Sequence, residues 1–218
     1  MKLVLTTLLF FGILFANGQE RKMRFGLQAF PNFSTGIPKS GTLTTDYYKG
    51  IETFTFTYSA GIQLDWEFAE KWTSSNGILY KTVGEKGKTI PADPLRGFLY
   101  PMEYGFSFRY VELQLNFLRK ISESLFLEFG LSPSYLLVSK FGTDRGNYFM
   151  ELNKNLRSPF ALNCNLGFGY NAKVGKVNLR ISPYGQFDLL NSIHEFIPSH
   201  GFPSMHFIAL GIRTVAIL

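Results

Sequence analysis

The chain has 218 residues, of which 17% are charged, against about 25% in an average soluble domain, and it carries 23 Phe and 11 Tyr. The formal charge of +6 is scattered along the chain rather than gathered into one stripe, which excludes the usual footprint of a nucleic-acid binder. Beyond residue 18 no apolar run approaches the length of a membrane-spanning helix, so helical spans are excluded as well.

The chain opens with Lys2, an uncharged apolar run from Leu3 to Phe15, and then Ala16-Asn17-Gly18 before Gln19. A short positive start, a run too brief to span a bilayer and small residues at the end predict a cleavable secretory signal over 1–18. The alternative, a retained membrane anchor, requires about twenty apolar residues. The mature chain, 19–218, reads as one domain and loses Lys2, leaving a charge of +5.

Residues 24–33 form the first predicted strand, with Phe25, Leu27 and Ala29 opposed to Gly26, Gln28 and Phe30. The second, Thr53–Phe68, reads T-F-T-F-T-Y-S-A-G-I-Q-L-D-W-E-F and alternates apolar with polar or Gly throughout. Successive strand side chains point to opposite faces, so this is a strand with one greasy and one polar face, far longer than the usual about five or six residues. A tilted membrane-spanning barrel strand, in which about nine to eleven residues cross the hydrocarbon and the rest project, accounts for the length. A third strand is predicted over 73–83, with Ile78 and Tyr80 against Leu79 and Lys81. The fourth, 104–118, sets Val111, Leu113, Leu115 and Phe117 against Glu112, Gln114 and Asn116. Above it Phe106, Phe108 and Tyr110 have the opposite phase, which predicts a bulge near Tyr110 or aromatics projecting above the membrane.

The fifth strand, 125–138, opposes Leu125, Leu127, Phe129 and Leu131 to Glu128, Gly130, Ser132 and Ser134. The sixth, 160–172, opposes Phe160, Leu162, Cys164, Leu166, Phe168 and Tyr170 to Asn163, Asn165, Gly167, Gly169 and Asn171. The seventh, 177–189, opposes Val177, Leu179 and Ile181 to Asn178, Arg180 and Ser182. The last, 204–218, sets Ile208, Leu210 and Ile212 against Gly211 and Arg213. Pro133 and Pro183 fall inside strands, where each removes a ladder hydrogen bond, and they predict local bulges. Cys164, the only cysteine, is expected as a buried small hydrophobe rather than a reactive thiol.

Short connections at 69–72, 119–124 and 173–176 alternate with long ones near 35–52, 84–103, 139–158 and 191–203. An even strand count, short turns at one end and long loops at the other are the pattern of an outer-membrane barrel. The expectation is therefore an all-β fold, an eight-stranded antiparallel up-and-down transmembrane β-barrel in the cell outer membrane. A soluble lipocalin-like barrel holding an apolar ligand shares the alternation but turns the apolar face inward. The polar face here is rich in Gly, Ser, Thr and Asn and poor in the Lys and Glu of a soluble exterior, which assigns it to a crowded lumen.

The segments R-Y-V-E-L-Q-L-N-F at 109–117, G-L-S-P-S-Y-L-L at 130–137, N-L-G-F-G-Y at 165–170, I-S-P-Y-G-Q-F-D-L at 181–189 and A-L-G-I at 209–212 resemble the small outer-membrane barrel family often called PorT-like, and more loosely OmpA- and OmpX-type barrels. The chain departs from that pattern at Gln114, where the family often has Pro, and at Leu218, where many outer-membrane barrels end in Phe. The resemblance implies an outer-membrane barrel and supplies no catalytic motif.

The candidate site is a luminal charge cluster. Asp65, Glu67, Glu112 and Glu128 share the polar face with Arg24, Arg180 and Arg213, each near the short-turn end of its strand, and are expected at similar depth. Paired charges there make a structural plug, since an isolated buried charge is costly; an ion or proton path is the functional alternative. Trp66 and Trp72, flanking the first short turn, are placed in an interfacial aromatic girdle. His194, His200 and His206 lack the Cys or acidic partners of a metal centre. Ser204 and His206 with Glu195 nearby raise an outer-membrane lipid hydrolase as an alternative, which requires hydrogen-bond reach between them. Gly167 and Gly169 lead into no helix and are not a phosphate loop. No catalytic residue, metal or cofactor is assigned. Expected partners are outer-membrane lipid and envelope or secretion-system proteins, with Tyr47, Tyr48 and Phe149 as loop contacts and no nucleic acid.

Overall fold

The computed structural model describes residues 23–38, 54–89, 102–143, 146–151, 159–175, 177–190 and 205–218. The expected signal segment 1–18 lies outside them, as do Tyr47, Tyr48, His194, Glu195, His200 and Ser204, and the side chain of Phe149.

Among the described residues nine antiparallel strands form one sheet: β1 (Met23–Pro38), β2 (Thr55–Ala69), β3 (Trp72–Thr89), β4 (Met102–Lys120), β5 (Leu125–Thr143), β6 (Gly146–Glu151), β7 (Phe160–Val174), β8 (Val177–Asp188) and β9 (Met205–Ile217). Neighbours follow the order β4-β3-β2-β1-β9-β8-β7-β5-β6, and a β4–β5 pairing closes the cylinder. The barrel wall thus has eight strands. The short β6 is a hairpin extension paired to the upper end of β5 at Lys140 and Phe141, within a stretch that the sequence pattern assigns to a loop.

β1, β3, β4 and β5 are longer than the alternation alone predicts, and they lengthen at the long-loop end. β3 and β4 pair without interruption from Trp72↔Arg119 to Thr89↔Met102, well above the apolar part of either strand. Hydrogen bonding between neighbours carries the ladder past the point where side-chain patterning stops.

The prolines do not bulge the sheet. In an antiparallel pair one residue's N–H and C=O point to the same neighbour, so a proline weakens one ladder and leaves the other intact. Pro133 stays paired with Leu162, while the β4–β5 ladder skips from Glu112↔Ser134 to Leu115↔Leu131 in unchanged register. Pro183 keeps Ile212 and interrupts only β7–β8, and Pro31 keeps Tyr58 and interrupts only β1–β9.

The expected disturbance near Tyr110 is real but lies in the partner strand. Arg109 pairs with Val138 and Tyr110 with Leu136, which leaves Leu137 of β5 as the extra residue. β4 itself keeps its phase, so Phe106, Phe108 and Tyr110 turn into the barrel on the same face as Glu112, Gln114 and Asn116 and are buried. The apolar-for-polar exchange along one face changes the chemistry of the lumen, not the direction of the strand.

Inward glycines let the curved wall close. A Cβ on Gly61 would lie 2.0 Å from the Ile78 carbonyl oxygen, and one on Gly211 would lie 2.2 Å from that of Pro31.

Candidate functional site

The distribution of side chains is inverted relative to a soluble barrel. Phe25, Leu27, Phe56, Ile62, Leu166 and Leu210 are all more than half exposed, while Arg213, Glu112 and Glu128 are sealed inside at 1% exposure or less. Outward positions on β4 read Arg109, Val111, Leu113, Leu115, Phe117, Arg119, so the apolar stretch is bracketed by exposed arginines. Ten residues at about 3.3 Å each, tilted by about 40°, span about 25 Å, the height of an outer-membrane barrel's lipid-facing band. Cys164 belongs to this outer face: it is exposed, not buried as its residue type suggested. A strand residue in the greasy phase of such a barrel meets lipid rather than a core.

Inside, the charged residues stand in tiers instead of one cluster. Three successive inward residues of β2, about 6.6 Å apart along the strand, each receive a cation. Glu67, nearest the short turn, pairs with Arg24 and takes a second contact at 3.5 Å from Lys120. Asp65 accepts from Arg180 Nη2 at 2.6 Å, the guanidinium reaching from β8 across to β2 and resting over the Phe126 ring at 5.4 Å. Gln63 accepts from Arg213 Nη2 at 2.5 Å, and Gln63 Nε2 in turn donates to Asp65.

Arg213 is the central strut. From β9 it donates to Gln28 on β1 at 3.0 Å, to Gln63 on β2 and to Glu128 on β5, and it lies 5.0 Å over the Tyr184 ring. Glu128 is held further by Asn116 at 2.7 Å, and Asn116 is bonded by Asn165 at 2.9 Å. One guanidinium with five fixed donors therefore ties four strands across the lumen.

Glu112 sits apart, in a higher tier. Its partner is Lys81 at 2.9 Å, with Gln186 donating at 2.8 Å and Ser134 at 3.3 Å. Lys81 was not among the expected site residues, although its alternation with Tyr80 puts it on the inward face; the same holds for Asp188, which is buried beside it. A void of about 10 Å³, no larger than one water, separates Lys81 and Asp188 from Phe207 and Tyr110 above.

Above that tier the side of the lumen facing β3, β4, β5, β7 and β9 turns apolar, while Asn32, Ser34 and Thr57 keep the β1–β2 side polar. Val83, Phe106, Phe108, Tyr110, Ala161 and Phe207 form one buried cluster with Leu136 packed against it. Phe106 stacks on Phe108 at 5.8 Å, and Phe207 meets Phe108 edge-on at 5.5 Å. These rings fill much of the lumen at its long-loop end, like a cork. Towards the short turns, Phe126, Leu118, Val215 and Ile217 are buried around the lowest ion pairs.

Trp66 and Trp72 face outward at the short-turn end. Trp66 packs on Phe68 at 5.9 Å, Trp72 meets Phe129 at 6.1 Å, and the Arg119 guanidinium lies 5.7 Å from the Trp72 ring. His206 also faces outward, at the other end, with Nδ1 3.0 Å from the Asp188 carbonyl oxygen and its ring stacked on Phe187. Gly167 and Gly169 lie in the wall facing inward; a Cβ on Gly169 would meet the Phe126 ring at 2.5 Å. Among the described residues no three His, Cys, Asp or Glu side chains gather where a metal ion could be held.

No family model and no characterised protein matches the sequence. Among solved structures the chain is similar to Ail, the attachment invasion locus protein of Yersinia pestis, in complex with the heparin analogue sucrose octasulfate. The TM-score is 0.50 and the identity 12%, over 90% of this chain and 99% of that one. A second likeness is to Neisserial surface protein A, with a TM-score of 0.41 and 9% identity over 88% of this chain and 95% of that one. The first likeness is one of fold: the chain is an eight-stranded antiparallel transmembrane barrel of the small outer-membrane kind.

Proposed function

We propose that this protein is a non-conducting, non-enzymatic barrel of the cell outer membrane. In this reading it is a rigid platform that carries its long external connections for binding or for envelope integrity. The observation that carries this reading is the sealed lumen, in which tiers of paired charge lie beneath an apolar cork. Phe106, Phe108 and Phe207 fill much of the long-loop end of the lumen above the Lys81–Glu112 pair. The charge tiers of Arg24, Asp65, Glu67, Glu112, Glu128, Arg180 and Arg213 serve as a structural plug, each carboxylate paired with a neighbouring cation, buried at Asp65, Glu112 and Glu128 and half-buried at Glu67.

A lumen filled by these side chains leaves no room for an apolar ligand of the lipocalin type. Trp66 and Trp72 act as interfacial anchors at the short-turn rim, where indole rings favour the boundary between lipid and water. The PorT-like resemblance agrees with export by a cleaved signal and with partners among envelope or secretion-system proteins. The test is electrical and chemical together. Purified protein in a planar bilayer gives no conductance steps, and its vesicles show no lipid hydrolysis. Open-pore steps would overturn the plug, and hydrolysis abolished by Ser204→Ala or His206→Ala would overturn the non-enzymatic reading.

A further inference from the structure

The lipid-facing wall is not uniform. Over β7, β8 and β9 it carries a groove of about 630 Å³, within the about 300–1,000 Å³ range of small-molecule sites. Its floor is made where outward positions hold small side chains, at Cys164, Pro183 and Gly185, and Gly185 lies between Leu166 and Leu210 in the ladders. Leu166 and Phe168 form one flank and Ile208 and Leu210 the other. The groove runs from Leu127, near the short turns, to Phe187, near the long-loop end.

We propose that this groove is a binding site for one hydrocarbon chain of an outer-leaflet lipid, held in place rather than exchanging freely with the surrounding bilayer. The proposal rests on the membrane-spanning reading. Three observations favour that occupant. First, the groove is continuous with the lipid-facing belt, since its flanks Leu166 and Leu210 are 61% and 51% exposed. Second, its lining contains no charged residue, and an empty concavity against hydrocarbon would forfeit dispersion contacts that a chain seated in it restores. Third, it is lined by 13 residues, fewer than the about 20–30 per side that a stable protein interface uses, which argues against a second copy.

The polar end of the lipid has a partner as well. His206 stacks on Phe187 at the upper rim, and its Nδ1 is engaged by the Asp188 carbonyl, which requires the proton on that nitrogen. Nε2 carries no hydrogen bond among the described residues and, in the neutral ring, accepts, which suits a hydroxyl on the headgroup side of the chain.

The test uses the full protein extracted from native membranes in mild detergent and examined by native mass spectrometry. The proposal predicts a lipid retained on the wild type and on the control Ile62→Phe, which adds bulk to an exposed position of the opposite wall. It predicts at least about tenfold less on Gly185→Phe, whose ring fills the groove. In a second measurement, which needs no variant, added phospholipid slows N-ethylmaleimide modification of Cys164 in detergent several-fold. Equal retention in the two variants, an unprotected Cys164, or a mass corresponding to two copies of the protein would each overturn the site. Heat-dependent gel mobility and vesicle flotation, measured on the same samples, report separately on the membrane-spanning barrel.

Discussion

Replacing Arg213 by Met removes the cation that Glu128 faces across the lumen and leaves a carboxylate at 0% exposure with Asn116 as its remaining donor. Breaking a buried pair from one side typically costs about 3–5 kcal/mol, because the remaining charge is uncompensated. The companion change Glu128→Gln removes that charge while keeping an acceptor for Asn116. In the Arg213→Met/Glu128→Gln double variant only the Gln28 and Gln63 acceptors lose their donor, at about 1 kcal/mol each. The double variant is therefore expected to lose about 2 kcal/mol, less than Arg213→Met alone and well short of the sum of the two single losses. Urea unfolding of barrels in detergent micelles, followed by tryptophan fluorescence at Trp66 and Trp72 and checked by gel mobility, measures all four species. A double variant whose loss equals the sum of the two single losses would refute the claim that the two side chains act as one buried unit.

Glu112→Gln removes the carboxylate bonded to Lys81 in the upper tier and is expected to destabilise the barrel by about 3 kcal/mol in the same assay, while planar-bilayer conductance stays at baseline because the rings above are intact. Phe108→Ala removes the ring that joins Phe106 to Phe207 and should cost about 3–5 kcal/mol of unfolding free energy, again without opening a pore, since the Lys81–Glu112 tier still fills the lumen beneath. Gly61→Ala places a methyl against the Ile78 carbonyl and is expected to lose about 1–3 kcal/mol, whereas Ala60→Val, on the exposed face of the same strand, should leave the urea midpoint within error.

Much of this architecture could be read from the sequence because a barrel strand states its two environments residue by residue. The run from Thr53 to Phe68 gives the correct inward set, including Asp65 and Glu67, and the short links at 69–72 and 119–124 give the hairpins. The upper half of β4 misleads because Phe106, Phe108 and Tyr110 are apolar residues on the luminal side, and alternation alone cannot distinguish an apolar cork from a change of phase. The bulge that accompanies them sits in β5 at Leu137, where L-L-V offers no polar residue to mark the shift. Pro133 and Pro183 demand bulges only where a missing donor disturbs both neighbours, and antiparallel geometry confines the loss to one. Depth was the other loss. Proximity to a short turn groups Asp65, Glu67, Glu112 and Glu128, but Glu112 stands eight residues before the end of β4 against four for Asp65 in β2, and it rises to the level of Lys81. The groove at Cys164 and Gly185 depends on three strands meeting, which no single strand pattern contains.

The most direct measurement of the central claim is a single-cysteine scan along β4 from 109 to 119, in a Cys164→Ser background, reconstituted in vesicles and read by quenching of an attached probe with brominated acyl chains. The account predicts strong quenching at 111, 113, 115 and 117, weak quenching at 110, 112, 114, 116 and 118, and a fall at the flanking arginine positions 109 and 119. Quenching at the even positions, or equal access to a water-soluble quencher along the whole strand, would contradict a barrel that turns its apolar face to lipid and its charges inward.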